Sequence, residues 1–244
     1  ASFSVAPGAP AKLVFTTQPT NSVAGAALST QPVVTIQDGF GNTVTTSTAA
    51  VSLTITSGAG TPGAALSGIT TVNAVNGVAT FSGLNIDKAG SAYTLTAAGP
   101  GLTSAISASF NILSANATRL AFSVQPANST AGQALSTQPK VVIQDNLGNV
   151  VTAAASVTIS ITSGTGNPAA VLAGTTTITA VNGVANFSGL SINKAGVSYT
   201  LSATSSGLTS AISTSFTILP GTASQLAFTT QPIGGAAGQS FTTQ

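Results

Sequence analysis

The chain repeats itself, and the repeat bounds what it can fold into. LVFTTQP from Leu13 returns as LAFSVQP from Leu120 and LAFTTQP from Leu226, spacings of 107 and 106 residues. LSTQPVVTIQD from Leu28 matches LSTQPKVVIQD from Leu135, and AVNGVATFSGLNIDKAGSAYTL from Ala74 matches AVNGVANFSGLSINKAGVSYTL from Ala180. GLTSAISASFNI from Gly101 closes one copy as GLTSAISTSFTI from Gly207 closes the next, with one residue lost between Asn149 and Ile159. Near-duplicates of this length read as successive domains. Repeat 1 is assigned to residues 11–112 and repeat 2 to residues 118–218. ASFSV at Ala1–Val5 resembles ASFNI at Ala108 and TSFTI at Thr214. Residues 1–10 therefore read as the last strand of a preceding repeat plus a linker, and residues 224–244 as the first strands of a following, incomplete repeat.

Within a repeat the apolar period is two. Leu13 and Phe15 alternate with polar positions, as do Val34 and Ile36, then Val51, Leu53 and Ile55, then Val72 and Ala74. Ala79 and Phe81 follow, then Tyr93, Leu95 and Ala97, then Ile106, Ala108, Phe110 and Ile112. These are seven short strands parted by turn signals such as Gln31-Pro32, Gly41-Asn42 and Asn76-Gly77. No helical stripe is present. The reading is all-β: tandem immunoglobulin-like seven-stranded β-sandwiches, arranged as an extended rod. The copies identify the inward face, since Lys12 becomes Arg119 and Val33 becomes Lys140 while Leu13, Phe15, Val34 and Ile36 stay apolar. Core aromatics are then Phe15, Phe81 and Phe110 in repeat 1 and Phe122, Phe187 and Phe216 in repeat 2. Tyr93 and Tyr199 stand just before a strand of Leu and small residues. This is the place of a tyrosine corner, whose ring is buried and whose hydroxyl bonds upstream backbone.

Composition then removes whole classes of function. Only 3% of residues are charged, the three acids are Asp38, Asp87 and Asp145, and Glu, His and Cys are absent. A net charge of +2 over 244 residues makes no basic patch, so nucleic acid is not an expected partner. Without His, Cys or Glu the usual hydrolytic constellations cannot be assembled, and paired-carboxylate catalysis needs two acids per site. The chain is read as a non-enzyme without a cofactor. No apolar run approaches the ~18 residues of a membrane span, so this segment is not membrane-spanning. A surface of Ser, Thr, Asn, Gln and Gly gives little colloidal repulsion and favours association.

The opening strand from Leu13, the IQD-x-x-GN hairpin (Ile36 to Asn42, Ile143 to Asn149), the NGVA-x-F segments at Asn76 and Asn182 and the YTL-x-A strands at Tyr93 and Tyr199 resemble a known family. It comprises the tandem bacterial Ig-like repeats of invasin- and intimin-type surface adhesins and giant extracellular repeat proteins. The resemblance implies a stalk, spacer or adhesive rod in an extracellular or cell-surface setting. The near absence of charge departs from a simple solvated stalk and favours lateral packing.

Other candidate sites each have a plainer reading. Asp38-Gly-Phe-Gly-Asn42 and Asp145-Asn-Leu-Gly-Asn149 make Asp38 and Asp145 weak metal candidates, but calcium wants six to eight oxygens with several carboxylates. Asp and Asn capping a tight turn is the favoured reading. Lys12 and Asn111 could suggest an isopeptide cross-link, yet the second copy carries Arg119 and Thr217 there. Asn116, Asn128 and Asn186 sit in N-x-Ser/Thr sequences that arise readily in so polar a chain. Thr54, Thr56, Thr94 and Thr96 could line a flat binding face, but β-propensity accounts for them. The expected function is therefore a stiff structural spacer. Its partners are the neighbouring repeats of the chain, joined through the short link Asn111–Thr118, and further copies meeting it laterally or end to end. The alternative is a carbohydrate- or receptor-binding adhesive module, for which Phe40 is the one loop aromatic; it becomes Leu147 in the second copy.

Overall fold

The computed structural model describes residues 5–231 and 233–239. Ala1–Ser4, which carry most of the expected strand of a preceding repeat, and residues 240–244 lie outside them. Repeat 1 consists of β1 (Lys12–Thr17), β2 (Ser22–Val23), β3 (Val33–Gln37), β4 (Ala50–Ile55), β5 (Leu66–Ser67), β6 (Thr71–Asn73), β7 (Val78–Thr80), β8 (Asn85–Ile86), β9 (Gly90–Tyr93), β10 (Leu95–Ala98), β11 (Ala105–Ile106) and β12 (Phe110–Leu113). Repeat 2 reproduces every element, from Arg119–Val124 to Phe216–Leu219. The described residues contain no helix.

Three sheets enclose the core of repeat 1, in the orders β1-β3-β7, β11-β10-β4-β6 and β2-β12-β9, and β5 pairs with β8 at the side. The alternation dictates the packing. In β4, Val51 and Leu53 are buried while Thr54 is exposed, and in β10 Leu95 and Ala97 are buried while Ala98 is exposed. Val34 and Ile36 of β3 meet them from the facing sheet, and Phe81, Leu84 and Ile86 close one side. The core of repeat 2 is a separate cluster of counterparts, among them Val141, Ile143, Val157, Ile159, Phe187 and Leu201. Each repeat buries its own interior.

Seven strands undercount the repeat. The run read as one strand from Tyr93 to Ala97 is β9 and β10, which belong to different sheets, and the run from Ile106 to Ile112 is β11 and β12, which also part. Two local features mark the crossing. Ser107 Oγ accepts from Leu95 N–H at 2.9 Å and donates to Ala108 O at 2.9 Å, satisfying backbone at the point where both strands leave the ladder. Ala92 takes φ +59, a conformation non-glycine residues rarely adopt, and the register of β9 against β12 shifts there. Ser213 and Ser198 repeat the arrangement.

Phe122 and residues 224–231 differ from their counterparts in repeat 1. Phe122 is half-buried against the core of repeat 2, unlike its buried counterpart Phe15. Residues 224–231 have the sequence of a first strand but form none, and Leu226 and Phe228 are exposed. In the complete repeats β1 is held by β3 and by the core beneath it, and among the described residues neither has a counterpart beside Leu226.

Candidate functional site

Each Asp turn is organised by one carboxylate. In Asp38–Asn42 the chain reverses tightly after β3, leaving several amides pointing inward. Asp38 Oδ1 accepts from Phe40 N–H at 3.0 Å and Asn42 N–H at 2.9 Å. Oδ2 accepts from Asn42 Nδ2 at 2.9 Å and from Gly8 N–H, in the incoming linker, at 2.8 Å. Asp145 is used identically by Leu147, Asn149 and Ala115. The Asn42 carboxamide, followed by the Gly8 amide, holds the Asp38 carboxyl well below the usual carboxylate range. For Asp145, burial pushes upward but is outweighed by the Asn149 carboxamide and the Ala115, Asn149 and Leu147 amides, and the net shift is downward. Both oxygens of each carboxylate face N–H donors, the arrangement of a turn and linker cap. Among the described residues no three His, Cys, Asp or Glu side chains gather.

Tyr93 and Tyr199 are fully buried, and their hydroxyls donate to Lys88 O and Lys194 O, each at 2.8 Å. Their rings lie tilted 6.1 and 5.9 Å from Phe110 and Phe216. A Cβ at Gly60 (φ +68) would overlap the Tyr93 ring, so the corner needs glycine there. Phe15, Phe81, Phe187, Phe110 and Phe216 are all buried. Thr54 and Thr96 face each other across β4 and β10, and Thr96 Oγ1 lies 2.9 Å from Thr56 Oγ1. Asn111 Oδ1 accepts from Ala92 N–H, and Asn128 Oδ1 from Thr217 N–H, so both serve their own repeat.

The arrangement that sequence reasoning missed lies between the repeats. The repeat 2 hairpin Asp145–Asn149 reaches back onto repeat 1. Asn149 Oδ1 accepts from Ala89 N–H at 2.9 Å, and Asn149 Nδ2 donates to Asp87 O at 3.1 Å. One carboxamide thus pairs with the backbone on both sides of Lys88 as another peptide group would. Leu147 lies on Gly25, where an added Cβ would meet its Cδ1 at 2.7 Å, and Gly25 has φ +75. Beside this contact is an open cleft of about 450 Å³ lined by Thr61, Lys88, Ala89 and Leu147–Val150. The link is fixed as well, by Ala115 N–H on Asp145 and Thr118 N–H on Gln144 O. Asn149 sat within the quoted IQD-x-x-GN motif, but nothing in a single chain says that its amide faces a neighbour.

No family model and no curated protein matches the chain. Solved structures do. The Escherichia coli adhesin FdeC is similar at 18% identity and TM-score 0.37, over 90% of this chain and 67% of that one. The D0-D1 domains of intimin are similar at 16% identity and TM-score 0.29, over 85% and 97%. A β-glycosidase from Bacteroides vulgatus is similar at 12% identity and TM-score 0.30, over 87% of this chain and 25% of that one. An adhesin and an enzyme match at comparable levels, and each TM-score lies below 0.5. The chain is an all-β protein built of two tandem Ig-like sandwiches.

Proposed function

We propose that the chain is a structural spacer of an extracellular or cell-surface protein, in which the repeats set a fixed distance and direction. The carrying observation is the joint. A linker of five residues between Leu113 and Arg119 is tied down by Asp145, while Asn149 and Leu147 brace the next repeat against the last. Short anchored links restrict hinge motion. The near absence of acids and bases leaves nothing resembling a catalytic constellation. Neutral Ser/Thr-rich sheet faces such as that of Ser52, Thr54 and Thr96 would let copies lie side by side with little charge repulsion.

Residual dipolar couplings of the full chain test the spacer. Both repeats are expected to fit one alignment tensor, and Asn149→Ala to loosen that agreement. Independent tensors in the unmodified chain would overturn the reading.

A further inference from the structure

The two ends of this chain carry the halves of the joint that its middle has already closed. Repeat 1 has the same reaching hairpin as repeat 2, but its tip is free: Phe40 is 95% exposed, whereas Leu147 is reduced to 47%. Asn42 is exposed, and its carboxamide bonds within its own turn, to Asp38. Repeat 2 has the same receiving edge as repeat 1. Gly132 and the Asn193-Lys194-Ala195 backbone correspond to Gly25 and Asp87–Ala89, and a Cβ at Gly132 would meet nothing within 4 Å. The incoming linkers agree too, since Gly8 binds Asp38 as Ala115 binds Asp145. A preceding repeat would therefore be delivered to the 38–42 hairpin along the path that repeat 1 takes to 145–149.

We infer that the Phe40–Asn42 tip is a docking element for another repeat of this kind, and that Gly132 with Asn193–Ala195 is the matching seat. Asn42 would take the place of Asn149, its carboxamide pairing with the backbone at 193 and 195. Phe40 would lie on the bare backbone of Gly132 as Leu147 lies on Gly25. Tip and seat are different surfaces, so the contact is heterologous and can recur from one repeat to the next along the chain. The hairpin contact alone is small, and the tethering linker is what raises the local concentration enough to close it. The inference rests on the joint described above and extends it to both ends.

The test is amide hydrogen exchange in two chains: the protein itself, and two copies of residues 7–219 joined in register so that repeat 1 of the second copy follows repeat 2 of the first. In the protein itself Ala89 should exchange slowly, and Asn149→Ala should speed it by about tenfold, within the worth of one hydrogen bond. Ala195 should exchange fast there and slow by about tenfold in the joined chain. Phe40→Ser or Asn42→Ala in the second copy should restore fast exchange. Equal exchange of Ala195 in both chains overturns the inference, as does protection that survives both substitutions. If Ala89 does not respond to Asn149→Ala, the spacer reading fails instead.

Discussion

Asp87 and Asp38 occupy corresponding kinds of position, turns that cap backbone amides, yet only one of them is an aspartate in both repeats. Asp87 Oδ1 accepts from Ala65 N–H at 2.8 Å, and Asn193 Oδ1 accepts from Val171 N–H at 2.8 Å. One acceptor suffices there, and an amide supplies it as well as a carboxylate. Asp38 and Asp145 each need two accepting oxygens, because Oδ1 and Oδ2 both meet donors. An asparagine would turn an NH₂ toward an N–H that has nowhere else to go. The aspartate is kept in both repeats at the turn where both carboxylate oxygens meet donors.

Asp145→Asn breaks that distinction most directly. It should lower the urea midpoint of repeat 2 by at least double the fall seen for Tyr93→Phe in repeat 1, and Asp38→Asn should do the same for repeat 1. Acid should act like both substitutions together. The folded-state pKa values of Asp38 and Asp145 are depressed, so their stabilisation is present above the unfolded value of about 4 and is lost as pH falls below it. Urea midpoints should be flat from pH 7 to about 5 and decline below about 4, and the doubly substituted chain should lose most of that decline. Tyr93→Phe removes one buried donor and leaves Lys88 O short of a partner, an effect of about 1 kcal/mol by urea titration, with Tyr199→Phe equal to it. Asp87→Asn, already present in the other copy as Asn193, should change stability by no more than about 0.5 kcal/mol. A larger loss there would mean that charge matters at that turn after all.

The fold was largely legible because the two copies act as a controlled experiment on each other. Exchange of Val33 for Lys140 marks an outward position, and retention of Ile36 as Ile143 marks an inward one. Tyr93 was legible from its place before Leu95. The crossings at Thr94 and Ser107 were not, since a strand that changes sheet keeps its period of two and only its partners change. Nor was β2, two residues that pair with β12 some 90 positions away. At the joint, Asn149 was visible as a turn residue, and its second role depends on which backbone lies opposite. Gly25 and the linker amides of Gly8 and Ala115 have no side-chain signature at all. Nothing in the structure explains why Phe122 is less buried than Phe15.

The parallel pairing of β2 with β12, reinforced by Ala24 N–H on Leu113 O, sets how a repeat responds to being pulled. Tension entering through one linker and leaving through the next drags Ser22–Val23 and Ile112–Leu113 past each other lengthwise. Their bonds are then loaded in shear and must yield together, so the sandwich resists as a latch where a hairpin pulled from one end would unzip.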